Sequence, residues 1–205
     1  MQQIVFLFYA AFRSREAGMP DQFVIEHCAP TLAGLKTGSL FSIETDNARD
    51  ACREIRDLNR TVRGKGLRAI PVRRRNRNTL IYLYRPDDLR RALAHPEAEE
   101  ILTEKGYNTD DADLCIMQLI HFLAGDGAFP HEIGLFLGYP PRDVKGFMKS
   151  PHEGVQCSGC WKVYGDKEKA EKTFEKFRQC TACYKKEFQN GRTLEQLTVR
   201  TRARG

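Results

Sequence analysis

No run of eighteen apolar residues occurs in the 205-residue chain, so a helix spanning a bilayer is excluded and no membrane insertion is expected. An export signal is also missing. The apolar run from Ile4 to Phe12 has no basic segment before it, and Arg13 and Arg15 follow with no small-residue cleavage site. No glycine-rich phosphate loop or nucleotide fingerprint appears, so no motif names a reaction. No repeat of solenoid length is present, although Pro-His-Glu recurs at 130–132 and 151–153. Seven cysteines is an odd number, which argues against a fully paired disulfide framework. Without an export signal these cysteines are expected in the reducing cytoplasm. Met19 followed by Pro-Asp-Gln reads as an alternative start, so residues 1–18 are expected to be an extension.

The composition is that of a folded protein. Hydrophobic residues make up 41%, and 33 basic against 27 acidic residues give a net charge of +6, which excludes disorder. The excess is local. Residues 60–77 hold eight basic residues and no acidic one, leaving the rest of the chain slightly acidic. A uniformly basic nucleic-acid binder is therefore excluded; one basic patch remains.

Residues 22–36 read as a short apolar segment followed by a helix whose first turn holds Pro30. Strand character follows at 39–43, then N-cap chemistry at Thr45-Asp-Asn47 and a charged helix to about Arg63. Leu67–Val72 and Thr79–Tyr84 predict a hairpin joined by a basic tip at 73–78. Pro86 opens a helix interrupted at His95-Pro96 and resumed to Lys105. Asp110–Asp113 cap an apolar helix, Leu114–Ala124, expected to be buried on most sides. Two short helices at 130–137 and 141–149, a cysteine knuckle, a strand at 161–164 and a long helix from Lys167 to Asn190 complete the order, and residues 198–205 are expected to fray.

This order predicts an α+β fold: a small antiparallel sheet, a helical segment, and a C-terminal unit of knuckle, strand and long helix. The expected segments are 1–18 (extension), 19–108 (α+β layer), 109–152 (helical, with an αα-hairpin) and 153–205 (cysteine-containing unit), packed as one globule.

Cys157-Ser-Gly-Cys160 and Cys180-Thr-Ala-Cys183 carry the strongest chemical pattern. Two residues between cysteines let one turn aim two thiolates at a single ion, and two such pairs complete a tetrahedron. Structural zinc is the cofactor this implies; iron or another metallocofactor is a lesser alternative. The competing reading places Cys180 in a core stripe with Ala170, Phe174, Phe177, Tyr184 and Phe188.

Residues 131–147 have helix-turn-helix spacing. Ile133 and Leu137 face inward, Gly134 permits close approach, Gly138 makes the turn, and Val144 and Phe147 close the pair. Arg142, Lys145 and Lys149 would then face outward towards phosphates, while Asp143 would repel them. A second nucleic-acid or anion candidate is the hairpin cluster Arg73, Arg74, Arg75 and Arg77, backed by Tyr82 and Tyr84. A solvated turn that protects an edge strand is the plainer reading.

With Pro30 as the first helical residue, Cys28 would lie at the positive end of a helix dipole, which lowers a thiol pKa. Thr31, Gly34 and Lys36 would add a hydroxyl, close backbone approach and a cation. Cys28 is thus a candidate ligand-binding or catalytic thiol, with His27 or His131 as its base; His131 and His152 each have a Glu beside them. Cys52 and Cys115 read as buried structural residues, and His121 as a satisfied core histidine.

Five segments, HCAPTLAGLKTGSLF at 27–41, RRRNRNTLIYLYRP at 73–86, HEIGLFLGYPPRDVKGF at 131–147, CSGCWKVYGD at 157–166 and TLEQLTV at 193–199, resemble a bacterial family, domain-of-unknown-function family 3793. The resemblance covers about residues 22–199. It implies a cytosolic protein of a family found largely in anaerobes, and it brings no established activity. The residues lead first to a cysteine-dependent metal- or metallocofactor-binding accessory protein. A helix-turn-helix-like nucleic-acid-binding regulator and a thiol-dependent enzyme using Cys28 are the alternatives.

Overall fold

The computed structural model describes residues 19–125 and 127–200; the expected extension at 1–18 lies outside them. Two compact units are present. Among the described residues one comprises 19–86 together with 179–200, and the other falls within Asp87–Arg178.

The first unit begins with helix α1 (Asp21–Leu32) and strand β1 (Gly38–Glu44). Helix α2 (Ala48–Val62) follows, capped by Asn47, whose Oδ1 accepts from the Asp50 N–H at 3.0 Å. Ala51, Ile55, Leu58 and Val62 recur at helical spacing and form its buried stripe. Strands β2 (Arg68–Arg75) and β3 (Asn78–Tyr84) make a hairpin, turned by Asn76 at φ 53°. The basic tip is therefore shorter than the sequence implied: Arg73, Arg74 and Arg75 belong to β2, and only Arg77 is in the turn. The sheet is antiparallel with order β1-β3-β2. Gly38 pairs with Tyr84 and Glu44 with Asn78, while β2 is irregular between Pro71 and Arg73. Proline fits there because β2 is an edge strand.

One face of the sheet packs Phe41, Ile43, Ala69, Ile81 and Leu83 against α1 and α2. Leu194 and Leu197 join this core. They come from the short helix α9 (Leu194–Leu197), whose Thr193 and Gln196 form a capping box. The expected fraying at 198–205 is corrected in its first part: Thr198 is buried, and the Val199 N–H donates to the Leu32 carbonyl at 3.0 Å.

In the second unit, α3 (Pro86–Leu93, whose first residue closes the other unit) and α4 (Pro96–Glu104) break at the expected place. Helix α5 (Ala112–Ala124) starts at the Asp111 cap. Only one stripe of it is buried (Cys115, Ile116, Leu119 and Leu123), whereas Leu114, Met117 and His121 are exposed. Burial on most sides, and a core role for His121, are thereby corrected. Helices α6 (Ile133–Phe136) and α7 (Pro141–Lys149) form a tight corner, and β4 (Cys157–Ser158) pairs with β5 (Lys162–Val163). The long helix α8 (Lys167–Gln189) runs from this unit into the other. Helices around two small antiparallel sheets make this an α+β fold. Among the described residues no helix is long and apolar enough to cross a membrane.

Candidate functional site

The Cys28 segment is not a helix start. Cys28 and Pro30 lie inside α1, near its C-terminal end, so the dipole that was expected to activate the thiol has the opposite sign there. Cys28 is fully buried, and burial pushes its pKa up to about 12, outweighing Lys36 and the hydrogen bond to Ser39. Cys28 is therefore a core thiol. His131, one of its two expected bases, belongs to the other unit, and the ring of His27 packs on Phe23 at 4.4 Å.

What occupies the expected ligand position is Arg85. Its side chain is 1% exposed. Nε donates to the Thr31 carbonyl at 2.7 Å, and Nη2 donates to Leu32 at 2.7 Å and Val199 at 2.8 Å. The guanidinium thus meets the orphan carbonyls at the end of α1. Gly34, at φ +75°, lets the chain turn away directly over it; a Cβ there would lie 3.7 Å from the guanidinium carbon. Thr31 shares a hydrogen bond with Ser39 at 2.9 Å between their hydroxyls, and Lys36 is half-buried. Thr31 and Gly34 are accordingly parts of an internal clamp.

The hairpin arginines are engaged as well. Arg74 donates from Nη1 to the hydroxyls of Thr45 and Thr79 at 2.8 and 2.6 Å, and from Nη2 to the Thr45 carbonyl. Arg77 pairs with Asp46 and with Glu44, and Arg73 and Arg75 also have partners. Tyr82 and Tyr84 stack on each other at 4.7 Å and are buried, so they offer no platform for a base.

The helix-turn-helix-like segment is a corner in which the first helix has a single turn. Gly134 does allow close approach: a Cβ would come 2.8 Å from Val144. Arg142, Lys145 and Lys149 are exposed, as expected, with Lys145 paired to Glu100 at 3.1 Å. Asp143 differs from expectation. It is buried and accepts from Trp161 Nε1 at 2.7 Å and from the N–H groups of Tyr164 and Gly165 at 2.8 Å each. Its carboxylate ties α7 to the β4–β5 turn and does not face outward.

The two cysteine pairs fall in different units. Cys157 and Cys160 form the expected knuckle and pack beside Val163 and Phe174. Cys180 and Cys183 stay within α8, on the part belonging to the other unit. Among the described residues no group of three or more His, Cys, Asp or Glu side chains is arranged to hold a metal ion. Burial, with Cys183 nearby, pushes the Cys180 pKa up to about 11. Cys115 is buried as expected, whereas Cys52 is exposed. His152 is exposed too.

A groove of about 530 Å³ lies beside α2 and β2, floored by Ile55, Ala69, Ile70 and Pro71 and lined by Arg56, Arg63 and Arg68. No acidic side chain lines it. Asn59 fixes its wall: Nδ2 donates to the Ala69 carbonyl at 2.7 Å, and the Ala69 N–H returns to Oδ1 at 2.8 Å. The amide thus covers one position of the exposed edge of β2. All three arginines are exposed, and none has a carboxylate partner among the described residues. Arg63 follows the last residue of α2, where the negative end of the dipole favours a cation. The stripe Cys52, Arg56, Asn59, Arg63 was readable from helical spacing; Arg68 required knowing that β2 lies alongside.

No curated protein and no solved structure matches the chain. A family model described as "Protein of unknown function (DUF3793)" matches residues 24–198, and the chain belongs to that family.

Proposed function

We propose that this DUF3793 protein binds a ligand bearing two or more phosphate groups in the Arg56–Arg63–Arg68 groove. The observation that carries the reading is a row of three exposed guanidinium groups with no acidic neighbour lining the groove. Arg56 on α2 and Arg63, the residue that follows it, stand seven positions apart, about 10 Å along the helix axis, a separation that suits successive phosphates better than one. Planar guanidinium forks grip phosphate oxygens in pairs. The groove contains no aromatic side chain, so recognition rests on phosphate and not on stacked bases. This keeps the partner class that the basic region suggested and moves it from Arg73, Arg74, Arg75 and Arg77 to the groove at the start of β2.

Fluorescence anisotropy with a labelled single-stranded oligonucleotide, competed by tripolyphosphate and by ATP, tests the reading. Three phosphate contacts predict a slope of log K against log salt near about −2. Arg56→Gln, Arg63→Gln and Arg68→Gln each reduce that slope by roughly 0.7. Competition by tripolyphosphate alone identifies a small polyphosphate ligand; resistance to both competitors identifies a polymer backbone. A triple variant that binds like the parent protein overturns the reading.

A further inference from the structure

A second cavity, of about 420 Å³, lies wholly within Asp87–Arg178, in the size range of small-molecule sites. Phe122 and Phe129 supply apolar wall, and Lys105, His121, His131 and Glu132 supply the polar groups. Their roles separate on geometry. Glu132 is buried and accepts the Tyr107 hydroxyl at 2.9 Å. Tyr107 is itself held edge-on against Phe122 at 5.1 Å. That carboxylate is already in use by the protein. Lys105 directly follows α4 and has no carboxylate partner among the described residues. His131 stands edge-on to Phe147 at 5.1 Å, and its Nδ1 is buried with no hydrogen-bond partner. Burial holds the His131 pKa below its ordinary value; Glu132 opposes this and Lys105 adds to it. The ring is therefore neutral at pH 7, and one of its nitrogens is an acceptor.

We infer that this cavity binds a small organic carboxylic acid carrying one hydrogen-bond donor, with its carboxylate at Lys105, its donor at His131 and its apolar body against Phe122 and Phe129. A single lysine beside Glu132 suits one negative charge; a phosphate dianion would meet that carboxylate with no arginine fork to hold it. His131 lines the cavity, so its neutral ring offers a ligand hydroxyl one acceptor nitrogen. His121, exposed on α5, lies at the cavity as a further donor.

The test titrates the full chain with 4-hydroxybenzoate, benzoate and 4-methylphenol, followed by heteronuclear NMR. Saturable shifts at the cavity residues are expected with 4-hydroxybenzoate. Benzoate, lacking the donor, and 4-methylphenol, lacking the charge, should each bind roughly tenfold more weakly. Lys105→Gln should cost roughly tenfold, while Lys105→Arg stays within about threefold, with dispersed spectra showing both variants folded. No saturation by about 10 mM, equal binding of 4-methylphenol, or full binding by Lys105→Gln overturns the inference. The groove variants Arg56→Gln, Arg63→Gln and Arg68→Gln serve as controls, since they lie in the other unit.

Discussion

Arg85 reaches 54 positions back in sequence to donate from Nε to the Thr31 carbonyl at 2.7 Å. The same guanidinium bonds Leu32 and Val199, so one buried cation joins the end of α1, the end of β3 and the segment after α9. Replacing it by Met removes the donor to the Val199 carbonyl and leaves the Thr31 and Leu32 carbonyls with one backbone donor each, Gly34 N–H and Val199 N–H. The expected loss is about 3 kcal/mol or more, roughly 6–12 °C in Tm for a chain of this size. Arg85→Lys recovers only part of it, because an ammonium group cannot reproduce the planar fork. Thermal denaturation of both variants checks this; an unchanged Tm for Arg85→Met would show the clamp to be dispensable.

Thiol labelling should follow burial and not the sequence motifs. With a pKa near 12, the Cys28 thiolate fraction at pH 7 is on the order of 10⁻⁵. Iodoacetamide should mark Cys52 and Cys183 first, both being exposed, and Cys28 only in denaturant. Peptide mapping over a time course reads the order. Cys28 labelling as fast as Cys52 would revive it as a nucleophile.

Two histidines make the fold acid-sensitive. Burial lowers the pKa of His27, against Glu26 and with Lys185, and lowers that of His131, against Glu132 and with Lys105. In the unfolded chain both take up a proton near pH 6.5. Stability is therefore full above that value and falls as the pH drops below it, until the folded state protonates as well. Tm should be lower at pH 5 than at pH 7. A His27→Gln/His131→Gln variant should show a shallower slope over that interval, and an unaltered slope would assign the acid sensitivity elsewhere.

Asp143→Asn tests the anchor beneath α7. The substitution removes the charge that receives three hydrogen bonds and turns an amide N–H₂ towards one of the donors, costing about 1.5–3 kcal/mol. Trp161 is the only tryptophan in the sequence, so its emission reports the surroundings of this one indole, which the Asp143 contact helps to fix. A red shift at temperatures where the helix signal persists is expected; identical emission and Tm would deny the anchor a role.

Local chemistry made much of the fold legible. The Asn47 cap, the hairpin, the break at His95-Pro96 and the long final helix all follow from rules acting over a few residues. Helix α1 did not, because its burial is nearly continuous at 23–25 and 28–32. That left no periodicity to read, and a proline normally confined to a first turn sits near its other end. The site was less legible than the fold. The arginines crowded in sequence are engaged by Thr45, Thr79, Glu44 and Asp46 across strands and turns, while those left exposed are spread over α2 and β2. No local signal announces Arg85, whose partners lie 53 to 114 positions away.

The bond from Arg85 to Val199 also sets a timetable for synthesis. The ribosome adds about 5–20 residues per second, so roughly 6–23 s separate the emergence of Arg85 from that of its partner. For that interval the apolar seat of Leu194 and Leu197 stands open and the guanidinium lacks one carbonyl. The first unit to be translated is thus among the last to close, and a nascent chain of this protein needs shelter longest at its beginning.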